Sequence, residues 1–221
     1  MRYALYYAPE RDDPLWQAGT RWLGRDPEAG CDLEPPPVPD IIARTAAARR
    51  YGFHATLKAP FALATSEAAL LDTIAGLAAR LRPCALQHLA VMRLEGFIAL
   101  GATGDAGALR CLAARWVIGL DQHRAPLQPQ DRERRIAGQD PRGIFYLDRY
   151  GYPQVMERFQ FHLTLSDRLA SAALFDAARD YFAPSLAMTR IIRTVALFRE
   201  DAPGADLRLI ARFALGGGTA R

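Results

Sequence analysis

Phe53-His54-Ala55-Thr56-Leu57 and Phe161-His162-Leu163-Thr164-Leu165 are one motif, Phe-His-x-Thr-Leu, written twice. Two of the chain's four histidines fall in it. Read as strands, the side chains alternate between faces. In the first copy His54, Thr56 and Lys58 share a face opposite Phe53, Ala55 and Leu57. In the second, Gln160, His162, Thr164 and Ser166 oppose Phe161, Leu163 and Leu165. Each strand so read has an apolar back for a core and a polar front for a cleft. The front carries an imidazole and a hydroxyl about 7 Å apart by strand rise, a span that one phosphate and its attacking water can bridge.

The repeat extends beyond the motif. After His54 the pattern reads helix, Pro83, strand, then a strand through Phe97-Ile98-Ala99-Leu100. After His162 it reads helix, Pro184, strand, then a strand through Val195-Ala196-Leu197-Phe198. The expected fold is α+β and bilobal: two pseudo-symmetric lobes of antiparallel sheet, helices outside, an active-site cleft between them. One domain is expected over residues 1–221, with lobes of roughly 1–120 and 121–215 and a disordered tail at 216–221. A one-residue slip in either motif strand would turn its histidine into the core.

Elsewhere, residues 2–8 alternate and are rich in tyrosine, a first strand in which Tyr6 and Tyr7 face opposite ways. Asp13-Pro14 opens a helix that Gly24 stops, with Leu15, Trp16, Gly19, Trp22 and Leu23 as its core stripe. Residues 25–48, around Glu34-Pro35-Pro36-Pro37, read as a surface loop. Helices are expected from Ser66-Glu67 to Pro83, over 106–120, and from Ala172 to Pro184. Strands are expected at 84–92, 96–101, 159–166, 185–199 and 206–215. The stretch 121–158 reads as a long polar connection between halves, carrying His123, Asp131-Arg132-Glu133-Arg134-Arg135 and Tyr150-Gly151-Tyr152-Pro153. Such a connection is suited to substrate-specific contacts. His88 has no partner motif and reads as structural.

The 221 residues are 50% hydrophobic and 24% charged, an ordinary globular composition. A net charge of +4 suits a phosphate-bearing ligand without demanding a polyanion. Lys58 is the only lysine. Cys31, Cys84 and Cys111 form no CxxC pair, which argues against a disulfide framework or zinc site and for a reducing cytoplasm. The N-terminal apolar stretch is interrupted too soon, at Glu10, for a signal peptide. No window approaches a membrane span.

Paired His-x-Thr motifs in two strand–helix–strand–strand halves resemble the two-histidine phosphoesterase superfamily. Its members include the bacterial RNA 2′,3′-cyclic phosphodiesterases known as 2′-5′ RNA ligases. The stretch Arg50-Tyr51-Gly52-Phe53-His54-Ala55-Thr56-Leu57-Lys58-Ala59-Pro60-Phe61 is similar to the branch associated with phosphonate metabolism. So are the opening Arg2-Tyr3-Ala4-Leu5-Tyr6-Tyr7-Ala8-Pro9 and Tyr150-Gly151-Tyr152-Pro153. The resemblance implies catalytic roles for His54 and His162 and phosphate binding by Thr56 and Thr164. The gene context of relatives further implies a cyclic phosphate of ribose 5-phosphate as substrate.

Residue chemistry leads to the same class. Opening a cyclic phosphodiester takes a proton from water and gives one to the leaving alkoxide, and histidine serves both roles near neutrality. Threonine hydroxyls donate to the non-bridging oxygens as charge builds there. Lys58 and Arg168 are candidates to add positive field at the phosphate. Tyr6, Tyr51 and Tyr152 are candidate substrate contacts. No cofactor is expected, and no metal, because no third ligand stands at zinc spacing beside the histidines. The expected partner is a small phosphorylated substrate, with no membrane; the oligomeric state is open. Two other readings stand beside it: an enzyme acting on RNA ends, which calls for a basic groove and stacking aromatics, and a phosphate or nucleotide sensor that binds without turnover.

Overall fold

The first strand, β1 (Arg2–Tyr7), does not alternate as expected but is buried on both faces from Tyr3 to Tyr7 in the computed structural model, which describes residues 1–86, 88–168 and 171–217. Asp13 then accepts from the Leu15 amide at 2.8 Å and Pro14 starts α1 (Pro14–Leu23), which ends on Gly24 in the left-handed region at φ 71°. All five residues of the expected α1 stripe are buried. After it come β2 (Arg25–Asp26), β3 (Cys31–Asp32), α2 (Ile41–Tyr51), β4 (Ala55–Phe61), α3 (Glu67–Arg80), β5 (Cys84–Leu86), β6 (Leu89–Leu94), β7 (Phe97–Ala102) and α4 (Gly107–Gly119). The second half holds α5 (Pro129–Ile136), α6 (Pro141–Tyr150), β8 (His162–Thr164), α7 (Ala172–Leu186), β9 (Arg190–Ile192), β10 (Thr194–Glu200) and β11 (Arg208–Ala214).

Seven strands form one antiparallel sheet in the order β11-β10-β1-β4-β8-β7-β6. The α+β antiparallel expectation holds. The division into lobes near residue 120 does not describe how that sheet is built. Strands β6 and β7, from the first half, pair with β8 of the second, while β10 and β11 extend the sheet from β1. The halves interlace because β8 lies between β4 and β7, both from the first half, while β1 of the first half lies between β4 and β10. The repeat itself persists: β5 pairs with β9, its counterpart, through Cys84↔Ile192, Ala85↔Ile191 and Leu86↔Arg190.

Three local expectations need correction. The surface loop at 25–48 holds the β2–β3 hairpin and most of α2. Only Ile41, Thr45 and Ala48 of α2 are buried, one residue per turn, so its apolar stripe is too narrow to stand out. The polar connection 121–158 contains α5 and α6. The ends of α6 carry the same signals as α1: Asp140 accepts from the Gly143 amide at 2.7 Å, Pro141 opens the first turn, and Gly151 stops it at φ 77°. Helix α7 continues past Pro184 to Leu186, with Ser185 Oγ donating to the Phe182 carbonyl at 3.0 Å in the last turn. The first two residues of the expected tail, Gly216 and Gly217, belong to a 3-10 turn (Leu215–Gly217), and the rest lies outside the described residues.

Candidate active site

The two motifs meet at the centre of the sheet. Ala55 of β4 pairs with Leu163 of β8, and each is the middle residue of a His-x-Thr. Antiparallel register around that pair sets His54 across from Thr164 and His162 across from Thr56. Ala55 and Leu163 are fully buried on one face. Both histidines and both threonines therefore share the other. Two strand residues along and one strand across, the histidine Cα atoms lie about 8 Å apart.

The cleft on this face has a volume of about 410 Å³ and is lined by Tyr6, Tyr51, His54, Thr56, Tyr152, His162, Thr164 and Arg168 among others. It continues into a second space of about 240 Å³, which shares Thr56, Tyr152, His162 and Arg168. The sequence candidates thus converge, with one exception. Lys58 is 3% exposed, with Nζ 3.0 Å from the Val117 carbonyl and 3.4 Å from Asp121 Oδ1. The cause is a bulge. Thr56 pairs with Tyr6 and Lys58 with Leu5, so β4 advances two residues while β1 advances one. Tyr6 and Leu5 face opposite ways, and Lys58 is turned from the cleft face toward α4. Its burial lowers the ammonium pKa to about 8, against the opposing pull of Asp121.

The two histidines are held alike. His54 Nδ1 donates to the Gly52 carbonyl at 2.8 Å, and His162 Nδ1 to the Gln160 carbonyl at 2.9 Å. A carbonyl only accepts, so the proton sits on Nδ1 of each neutral ring and Nε2 keeps its lone pair. Thr56 Oγ1 donates to His54 Nε2 at 3.3 Å.

Their surroundings differ. Tyr6 stacks on His54, and Phe198 stands 6.1 Å away. Burial lowers the His54 pKa to about 4; the Gly52 bond opposes this and the nearby His162 adds to it. His162 is also lowered by burial, but the Gln160 bond and the Glu95 carboxylate push the other way. Arg168 pairs with Glu95 at 3.5 Å in solvent.

Further residues tie the site to the scaffold. Asp167, just past the second motif, accepts from the Ala47 and Ala48 amides at 3.1 Å, binding α2 and hence Tyr51 to that end of the cleft. Tyr51 accepts from Arg50 Nη2 at 2.8 Å. Glu95 and Phe97 flank His162 without having been singled out in the sequence. In sequence only the break between the strands expected at 84–92 and 96–101 marks the place, which is the turn of the β6–β7 hairpin, with positive φ at Glu95 and Gly96. His123 is structural: its ring bonds Thr65 and Thr73 at 2.7 and 2.9 Å. The His88 side chain is exposed. Among the described residues no group of three or more His, Cys, Asp or Glu is arranged to hold a metal ion. None of their helices is long and apolar enough to cross a membrane.

Comparison with known proteins adds the following. The chain is 40% identical over 219 residues to the ribose 1,5-bisphosphate phosphokinase PhnN of Janthinobacterium sp. (strain Marseille), a match covering 92% of this chain and 48% of that one. It is 36% identical over 223 residues to the protein of the same name from Laribacter hongkongensis (strain HLHK9), covering 95% and 50%. The chain spans about half the length of the curated relatives it matches. Among solved structures, TT0787 of Thermus thermophilus aligns with a TM-score of 0.46 at 20% identity, covering 99% of this chain and 100% of that one. E. coli LigT complexed with NADP+ aligns with a TM-score of 0.42 at 15% identity, covering 97% and 98%. A family model described as protein of unknown function (DUF1045) matches residues 56–208, from the first motif threonine through the second motif and on to β11. That match spans well over half of the sequence, and the protein belongs to this family.

Proposed function

We propose that the cleft opens a cyclic phosphodiester by general acid–base catalysis between His54 and His162, as in the two-histidine phosphoesterases that its motifs resemble. The observation that carries this reading is the Ala55–Leu163 pair, which brings both His-x-Thr motifs to one face. His54 is the base: its ring is neutral, with Nδ1 donating to the Gly52 carbonyl, and its Nε2 lone pair takes a proton once the Thr56 hydroxyl, 3.3 Å away, turns to the phosphate. Water loses that proton and attacks phosphorus. The bond from phosphorus to the sugar oxygen breaks, and protonated His162 supplies the proton the alkoxide needs. The anionic substrate raises both imidazole pKa values as it binds, and His162, less desolvated and near Glu95, is the one it charges first. Thr56 and Thr164 donate to the non-bridging oxygens.

The substrate class in this reading is a small ribose phosphate, a chemistry that the relatives' name, ribose 1,5-bisphosphate phosphokinase, also carries. Phosphokinase activity is not part of it. The 221 residues contain no Gly-x4-Gly-Lys-Ser/Thr loop, and the one lysine is buried beneath α4. The test is turnover of a panel: ribose 1,2-cyclic phosphates, nucleoside 2′,3′-cyclic phosphates and RNA 2′,3′-cyclic ends, with His54→Ala and His162→Ala alongside. Hydrolysis of the small substrates, abolished in both variants, supports the reading. Binding without turnover in the native protein would replace the enzyme with a sensor.

A further inference from the structure

Beside the histidine cleft lies a second pocket of about 150 Å³, walled by Arg2, Arg124, Arg134 and Arg135 and by Ala59, Pro60 and Tyr152. Pro60 and Tyr152 also line the histidine cleft, so the two spaces share a wall. Four steps along β4 lead from Thr56 to Pro60, at most about 13 Å of strand.

The carboxylates here are outnumbered. Glu200 is shared by Arg2 and Arg50. Asp121 is shared by Lys58, Arg124 and Arg149. Asp131 answers Arg134 alone. Arg135 has no carboxylate partner among the described residues; its Nη1 donates to the Gly151 carbonyl at 3.2 Å, and its charge acts on the Tyr152 hydroxyl at the shared wall. Helix α5, which carries Arg134 and Arg135, buries none of its residues. The packing of a core therefore does not explain why a guanidinium stands at this spot without a counter-ion.

We infer that this pocket is a second anion subsite, in which Arg135, with Arg2 and Arg134, binds a terminal phosphate monoester carried by the same molecule whose cyclic phosphate lies between His54 and His162. Guanidinium is the group suited to that ligand, because its planar fork meets phosphate oxygens two at a time. The substrate is then a doubly phosphorylated small molecule rather than a nucleoside cyclic phosphate with a free hydroxyl. This rests on the phosphodiesterase reading above.

The test compares two substrates that differ only in the terminal phosphate, ribose 1,2-cyclic phosphate with and without a 5-phosphate, on the native protein and on Arg135→Gln. The expected result is a fall of about tenfold or more in the ratio of their kcat/KM values, the phosphorylated substrate losing most. An unchanged ratio would overturn the subsite. Equal loss on an RNA 2′,3′-cyclic end lacking any phosphomonoester would also overturn it, in favour of a groove for nucleic-acid backbone. Should the native protein hydrolyse neither ribose substrate, the phosphodiesterase reading fails on its own account. Calorimetric binding of ribose 5-phosphate then decides the subsite separately: binding that Arg135→Gln weakens upholds it, and no binding, or equal binding by the variant, rejects it.

Discussion

Tyr6 lies flat on His54, with ring centroids 3.6 Å apart and planes 18° from parallel. The corresponding ring beside His162, Phe97, stands 5.6 Å away and is tilted by 49°. Two copies of one Phe-His-x-Thr-Leu motif are thus set in unequal surroundings. The inequality comes from the strands outside the motif pair: β1 sets Tyr6 directly across from Thr56, whereas β7, in the corresponding place beside β8, sets Ala99 across from Thr164. A symmetric pair of half-buried histidines becomes a more strongly desolvated one and a less desolvated one, the difference a base and an acid require.

His54 should titrate below His162. In the unfolded chain an imidazole protonates near 6.5, whereas burial holds His54 to about 4. Between those values the unfolded state takes up the proton first, so stability falls as pH drops from 6.5 toward 4. Proton-coupled NMR of the two rings checks the order. Thermal unfolding at pH 7 and pH 5 checks the linkage, and His54→Asn should lose part of the pH dependence.

Replacing either histidine by alanine should lower turnover by about two to four orders of magnitude, the usual worth of a positioned acid or base. The fold should survive, as judged by circular dichroism. Thr56→Val and Thr164→Val should each cost about tenfold to a hundredfold in kcat, as hydroxyls that meet developing charge, with a smaller change in KM.

Lys58→Met should leave KM for a cyclic phosphate where it is, because the ammonium faces Val117 and Asp121 and not the cleft. The ammonium pKa is lowered from 10.5 to about 8. The native protein therefore gains stability as pH rises from about 8 to 10.5, where the unfolded chain still holds the proton. The methionine variant should lack this gain. A large rise in KM would mean that Lys58 reaches the substrate after all.

Glu200 is fully buried. Burial alone would raise its carboxyl, yet Arg2, Arg50 and the Gly204 amide hold it at about 2. A depressed carboxylate contributes stability that is lost as pH falls from 4.5 toward 2. Glu200→Gln should be less stable at pH 7 by about 1–3 kcal/mol, the worth of the charged hydrogen bonds lost to the half-buried Arg2 and Arg50, and less acid-sensitive. Urea unfolding at pH 7 and pH 3 measures both.

Gly19→Ala should disturb the site from behind. A Cβ there would run into the Phe53 ring, and Phe53 is the residue before His54. Overpacking of this kind costs about 1–3 kcal/mol, and the displaced backbone should lower kcat more than it raises KM. A fall in melting temperature with unaltered kcat would separate the two effects.

The readable part of this chain was whatever one element records by itself. Alternation in Phe161-His162-Leu163-Thr164-Leu165 assigned a buried and a cleft-facing side, and the burial of Phe161, Leu163 and Leu165 agrees. Asp13-Pro14 and Gly24 bounded α1 to the residue. Asp140-Pro141 and Gly151 offered the same signals for α6, but they were masked by the polar run around them. Helix α2 was harder still, since three buried residues in eleven leave no pattern above that of a loop.

Lys58 marks the boundary between the two kinds of information. Its position two after Thr56 put it on the histidine's face by strict alternation, and a bulge against β1 reversed that. A bulge is a relation between strands, and spacing along one strand carries no trace of it. The same holds for the interlacing of β6, β7, β10 and β11 and for the approach of Arg135 to the cleft. By itself the sequence determined which groups are available for chemistry and which side of its own strand each prefers, because local sterics set the two-residue period. Only the tertiary structure decided which of those sides became one cleft, because cross-strand pairing and packing set the register.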